Sequence, residues 1–143
     1  MNTAVMFSSL SGEWRTPEGL FKALDEEFHF TLDAAASDEN HLCEQYYTEK
    51  DDALCQYWPG NVWLNPPYGR GVGQWVSYAA LNVFDHRTNV VVMLLPARTD
   101  TLWFHLFVLP YAKEIRFIRG RLKFGDAKNS APFPSMVVVF KRS

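Results

Sequence analysis

Six apolar residues in a row, Val90 to Leu95, constrain the fold more than any other feature of this chain. A strand with one face in water alternates apolar and polar residues. An unbroken apolar run belongs to a strand covered on both faces, as in sheets whose strands are joined by crossover helices. Segments of helix and strand character alternate around it. Thr16-Pro17-Glu18 predicts a helix start: Thr can cap, Pro is tolerated in the first turn, and Glu suits the positive end. Leu20, Phe21, Leu24 and Phe28 then recur at helical spacing. Phe30-Thr31-Leu32 predicts a short strand ending at Asp33, and residues 35–60 read as polar and irregular with no strong strand. Asn61 to Leu64 predicts a strand stopped by Asn65-Pro66-Pro67, because proline cannot continue a ladder. Val72 to Val83 gathers Val72, Trp75, Val76, Ala79, Ala80 and Val83 on one helical face. Asp100 to Leu109 predicts a third helix, with strands at Ile115–Ile118 and Met136–Phe140. This order predicts one α/β domain with a largely parallel sheet. Ligands of such sheets sit beyond the carboxyl ends of the strands. Asp33, Asn65 and the segment Pro96-Ala97-Arg98-Thr99-Asp100 all fall at such ends.

With 143 residues the chain is sized for a single domain and is too short for a catalytic domain plus a separate recognition domain. Its first residues, MNTAVMFSSLSGEW, lack a basic start followed by a long apolar run, so no export signal is expected, and no stretch approaches the length of a membrane span. Cys43 and Cys55 read as two free thiols in a reducing cytoplasm. His41 and Cys43 are close, but with no Cys-x-x-Cys a zinc site is not expected, and His29, His41, His86 and His105 read as structural. The net charge of −2 conceals an uneven distribution. Residues 1–60 carry 12 acidic and 3 basic side chains, and residues 61–143 carry 4 acidic and 11 basic ones. Either the basic half faces phosphates, or the two halves attract each other within the fold.

Asn65-Pro66-Pro67-Tyr68 carries the most specific chemistry. Asn before Pro is pushed out of the helical region, and two prolines fix the dihedrals that follow. Because proline has no N–H, the stiff loop offers acceptors, which suits a substrate that donates, such as an exocyclic amino group. The amino nitrogen of adenine is a poor nucleophile, since its lone pair is delocalised into the ring. The Asn65 side-chain oxygen and the Pro66 carbonyl would grip its two protons and favour a pyramidal nitrogen aimed at a methyl donor. Positioning and stabilisation then supply most of the acceleration. Tyr68 is expected to stack on a base swung out of the duplex. Taken alone, the same tetrapeptide also reads as a turn.

Several ordered blocks extend this motif: Trp14-Arg15-Thr16-Pro17, Leu32-Asp33-Ala34-Ala35-Ala36, Trp63-Leu64-Asn65-Pro66-Pro67-Tyr68-Gly69, Leu95-Pro96-Ala97-Arg98-Thr99-Asp100-Thr101, Gly120-Arg121-Leu122 and Ala131-Pro132-Phe133-Pro134-Ser135. From Trp14 to Phe140 the chain resembles the phage-encoded, Dam-like DNA N6-adenine methyltransferases, small enzymes of phages and prophages. The resemblance implies a reduced class I S-adenosylmethionine-dependent methyltransferase fold, Rossmann-like and mostly parallel. It implies that Asn65, Pro66, Pro67 and Tyr68 are catalytic. It implies cofactor contacts from Trp14, Thr16 and Pro17 near the methionine end, from Asp33, Ala34 and Ala35 around methionine and ribose, and from Asp52 on the adenine amino group, next to Asn65. It also implies a cytoplasmic setting in a bacterial host and a purpose in shielding phage DNA.

Two departures stand out. Three alanines and a serine replace the usual glycine-rich loop after Asp33, and no clear strand between Ala36 and Asp52 carries a ribose-binding acid. Asp38 and Glu39 read as an exposed acidic loop. Arg98, Thr99 and Asp100 are read as lining the substrate side, with Arg98 on a phosphate or the flipped base. Thr99 or Asp100 is also read as capping the next helix, and the two readings are compatible. For Arg98, lining is expected. Arg116, Arg119, Arg121 and Lys123, leading into a loop with Lys128, are expected to form a DNA-facing edge. Double-stranded DNA is the expected partner, and a small enzyme facing a duplex has reason to form a homodimer. The tetrapeptide also occurs in methyltransferases acting on RNA and on protein glutamine, and a non-catalytic binding protein on the same scaffold is a further alternative.

Overall fold

A computed structural model describes residues 15–125 and 129–142. Trp14 and Lys128 lie outside the described residues. The first helix, α1, spans Glu18–Phe28. Pro17 occupies its cap position and no side chain caps it, which corrects the expectation for Thr16. The helix stops at His29, which turns left-handed with φ 54° and returns its N–H to the Asp25 carbonyl. The Asp25 carboxylate accepts the Phe30 N–H at 2.8 Å, fixing the chain's exit toward the sheet.

The strands are β1 (Leu32–Asp33), β2 (Gln45–Tyr46), β3 (Asn61–Leu64), β4 (Val90–Pro96), β5 (Glu114–Phe117) and β6 (Ser135–Lys141). They form one sheet in the order β2-β1-β3-β4-β6-β5. β2, β1, β3 and β4 are mutually parallel, and β6 runs antiparallel to both β4 and β5. β5 therefore points the same way as the parallel set, and five of the six strands end at one edge. Every residue of β4 is buried, as the apolar run predicts for a strand covered on both faces. α1 covers the face to which Trp63 points: Phe21 meets the Trp63 ring edge-on at 5.4 Å and Phe30 meets it at 5.6 Å.

The second helix, α2, is Val72–Phe84, as its apolar face predicts, and it packs on β4 and β6. The third, α3, covers residues 102–111 and begins later than the expected Asp100. Residues 97–101 instead form a turn, in which the Thr101 hydroxyl donates to the Arg98 carbonyl and accepts the Phe104 N–H. Thr101, rather than Thr99 or Asp100, holds the start of α3. Within α3, Phe104–Val108 is wound as a π-helix, with the Leu109 N–H reaching the Phe104 carbonyl. Pro110 follows directly and has no N–H to give the Leu106 carbonyl, so the wider turn absorbs the missing bond. A Cβ on Gly73 would lie 3.3 Å from that of Trp103, so glycine lets α2 and α3 approach closely.

The stretch 35–60 is more ordered than its polarity predicts. β2 lies there, with two 3₁₀ turns at Glu49–Asp51 and Ala53–Cys55. A two-residue strand is too short to show alternation, and β2 is recognisable only from its pairing with β1.

Candidate active site

β3 ends at Leu64 because the next three residues cannot extend it: Asn65 is constrained by the proline after it, and Pro66 and Pro67 have no N–H. The Asn65 amide is oriented by a partner far away in sequence. Its Nδ2 donates to the Thr16 hydroxyl at 3.1 Å, just before α1. That bond turns the amide oxygen away from Thr16. The segment before the first helix and the loop after β3 thus meet, as the shared site predicted from Thr16, Pro17 and Asn65 requires.

Asp33 ends β1, the strand beside β3. The chain continues straight across the gap, with the Ala34 N–H donating to the Trp63 carbonyl at 3.1 Å. The Asp33 carboxylate is 3% exposed and accepts the N–H of Leu42 at 3.0 Å and of Ala35 at 3.4 Å. It therefore holds its own loop, 34–42, against the strand ends. Burial pushes its pKa up to about 6, opposed by those two N–H groups and by His41. A buried carboxylate thus stands at a strand end, with the small side chains of Ala34 and Ala35 beside it. Asp52 stands apart from this cluster. It joins the two 3₁₀ turns beyond β2 in a left-handed conformation with φ 53°, and its carboxylate pushes the Cys55 thiol's pKa up. Among the described residues, no three or more His, Cys, Asp or Glu are disposed to hold a metal.

Tyr68 differs from the expected open stacking surface. Its ring is 3% exposed, its hydroxyl donates to the Leu94 carbonyl at 3.0 Å, and burial pushes that hydroxyl's pKa far up. Phe133 and Phe124 meet it edge-on at 5.6 and 6.3 Å. The ring follows two prolines that aim it into the sheet, where an aromatic gains more from burial than from water. In this conformation Tyr68 ties the loop that begins at Asn65 to β4, and neither of its faces is free to stack on a base.

A model of the family described as DNA N-6-adenine-methyltransferase (Dam) matches residues 5–142. The chain belongs to the DNA N-6-adenine-methyltransferase (Dam) family. Among its relatives is a DNA N-6-adenine-methyltransferase of Escherichia phage T1, 39% identical over 94 residues, which are 64% of this chain and 38% of that protein. A putative methyltransferase, YfdM, of Escherichia coli (strain K12) is 36% identical over 64 residues, 39% of this chain and 70% of that protein. The chain thus spans 38% of the length of its phage T1 relative.

In this Dam-family chain the basic residues fall into two groups. Arg116 is committed within the fold. Its guanidinium makes a two-pronged pair with Glu27 at 2.8 and 2.6 Å and another with Glu114 at 2.8 and 3.1 Å, and it lies 5.5 Å over the Phe28 ring. Both carboxyls are held below their usual range by it, and its own pKa is raised by them. This corrects the assignment of Arg116 to a DNA-facing edge: two carboxylates already neutralise it, and a phosphate would have to displace them. The Glu27 pair is also an instance of the acidic and basic halves attracting each other. Arg119, Arg121 and Lys123 are exposed, on the segment that leaves β5 at the site edge and leads to Phe124 against Tyr68. Arg98 is exposed in the turn at the end of β4.

Three residues escaped sequence reasoning. Arg15 precedes Thr16 and packs on Gly125, where a Cβ would lie 3.1 Å from its own. Phe124 and Phe133 enclose Tyr68. Phe133 lies inside one of the blocks that carry the family resemblance, so the signal was present, but only the fold reveals its partner.

Proposed function

We propose that the chain transfers a methyl group from S-adenosylmethionine to the N6 amino group of adenine in DNA, on a reduced class I methyltransferase fold. Family membership supports the reaction class. A parallel run with one antiparallel strand between β4 and β5, and a site at the carboxyl ends, support the fold reading. The observation that carries the mechanism is the Asn65–Thr16 hydrogen bond. Thr16 accepts one Nδ2–H and so fixes the direction of the amide, whose oxygen is by its chemistry an acceptor, and a substrate amino group is a donor.

When bound, S-adenosylmethionine supplies an electrophilic methyl group on a cationic sulfur. Thr16, Pro17, Asp33, Ala34, Ala35 and Asn65 would hold it, with Trp14 from outside the described residues. Asp33 offers negative charge to the cationic ligand, and the alanines let it approach the backbone. Asp52 is assigned to the cofactor's adenine amino group. The Asn65 oxygen and Pro66 carbonyl accept the two protons of the target amino group and hold its nitrogen pyramidal, a contact that strengthens as charge develops there. Pro67 stiffens the loop, and Tyr68 anchors it to β4. Arg98, Arg119, Arg121 and Lys123 meet phosphates, and the target adenine leaves the stack to reach the loop. DNA is the proposed substrate, and a second copy of the chain a proposed partner.

The test is incubation with labelled cofactor and, in parallel, unmethylated DNA, RNA and a glutamine-containing peptide, followed by mass spectrometry of nucleosides and peptide. Labelled N6-methyladenine in DNA is the expected result. Label confined to RNA or peptide contradicts the substrate assignment, and cofactor binding without transfer to any of them contradicts the enzymatic one.

A further inference from the structure

Two surface helices of this fold carry no Asp, Glu, Lys or Arg at any position: α2 and α3. A helix with one side in water ordinarily places charged residues on that side. On α3 the outer stripe is Leu102, Leu106 and Leu109, at spacing i, i+4, i+7, exposed by 73%, 50% and 53%, while Phe104 and Val108 face inward and are buried. On α2 the outer positions Leu81 and Phe84 are also exposed. Phe84 meets Tyr111 of α3 with ring centres 5.4 Å apart, so the two helices present one continuous face. A groove of about 360 Å³, lined by Leu54, Gln74, Ser77, Tyr78, Leu81 and Phe107, runs between them.

Taking about 200 Å² for a fully exposed large apolar side chain, Leu81, Phe84, Leu102, Leu106, Leu109 and Tyr111 leave roughly 600 Å² of apolar surface in water. A patch of that size is at the upper end of the roughly 300–600 Å² that a monomer's largest apolar patch ordinarily spans, and it approaches the ~800 Å² each partner gives to a stable interface.

We propose that this face binds a second copy of the same chain, with α3 packed antiparallel on its symmetry mate. The patch bears no charge, so laying it on itself brings no like charges together. The charges at its ends are complementary under a two-fold axis. Exposed Arg98 and Asp100 precede α3, and exposed Lys113 and Glu114, the latter already engaged by Arg116, follow it. Antiparallel packing therefore sets Asp100 of each copy beside Lys113 of the other, and Arg98 beside Glu114. Antiparallel packing also opposes the helix dipoles favourably. A membrane surface fits less well, because interfacial helices carry Lys or Arg on their polar face and neither helix has any.

Sedimentation velocity on the full chain tests this without cofactor or DNA, so its outcome is independent of the methyl-transfer reading. A monomer–dimer equilibrium in roughly the micromolar range is expected for an interface of this size. Leu102→Glu with Leu106→Glu should abolish the dimer and leave thermal unfolding close to the parent's, because both side chains point into water. Asp100→Lys should weaken the dimer roughly fivefold, and adding Lys113→Asp should restore it. A parent that stays monomeric to about 100 µM overturns the proposal, as does a dimer that survives both glutamates. A dimer that the charge swap fails to restore overturns the antiparallel register. A monomer that co-sediments with phosphatidylglycerol vesicles overturns it in favour of lipid.

Discussion

In the proposed mechanism Asn65 acts through the direction its amide faces, and Thr16 holds that direction. Thr16→Val removes the hydroxyl and keeps the shape, so the amide loses this hold on its direction. We expect the rate of methyl transfer to fall roughly tenfold, with cofactor affinity changing less, and Thr16→Ser to restore most of the rate. A variant as fast as the parent would mean that something else orients Asn65. Asp33 gives a prediction in pH. Its folded pKa of about 6 lies above its ordinary 3.8, so its contribution to stability is full below that lower value and is lost as pH rises through about 6. A cationic ligand reverses the preference by favouring the carboxylate, with His41 and Cys43 as its titratable neighbours. Cofactor affinity measured by calorimetry should therefore weaken below about pH 6, by up to roughly tenfold per unit, and Asp33→Asn should flatten that dependence. A flat profile in the parent would remove Asp33 from the pocket. Asp33→Ala should do more than weaken binding, because it orphans the N–H groups of Leu42 and Ala35 and loosens their loop. Tyr68→Phe keeps the enclosed ring and drops the bond to Leu94. It should cost about 1 kcal/mol in thermal or denaturant unfolding.

Elements were legible where they repeat a pattern and hidden where they do not. β4 could be read from six apolar residues because burial on both faces leaves no other composition. α2 could be read from its apolar face. β2 could not, since two residues carry no period and its existence depends on β1 lying alongside. The start of α3 was misplaced by two residues because Thr99, Asp100 and Thr101 are all able to cap, and only the turn after β4 decides among them. Arg116 shows the same limit for function. Its spacing from Arg119 and Arg121 reads as a basic edge, but Glu27, 89 residues earlier, folds onto it. The split between these arginines is measurable in DNA binding. Arg119→Gln with Arg121→Gln should lower affinity for all sequences alike and reduce the salt slope by roughly one unit per lost phosphate contact. Arg116→Gln should leave the slope unchanged and appear, if anywhere, in stability. A slope that responds to Arg116 alone would reverse the assignment.

At the scale of the whole molecule, the chain places its site where five strands end and leaves a charge-free face on α2 and α3. The convergence of the candidate site's residues was legible because Asp33, Asn65 and Pro96–Arg98 each fall at the end of a predicted strand, and parallel strands bring their ends together. The contacts that make the site specific were not, because Thr16 with Asn65, and Phe124 with Tyr68, join segments about fifty residues apart in sequence. The account stands or falls on Asn65. In single-turnover methylation of unmethylated DNA with labelled cofactor, the parent should form N6-methyladenine. Asn65→Ala should slow that step by on the order of a hundredfold or more while binding cofactor nearly as tightly. Near-normal methylation by Asn65→Ala, with the parent active in the same assay, would contradict it.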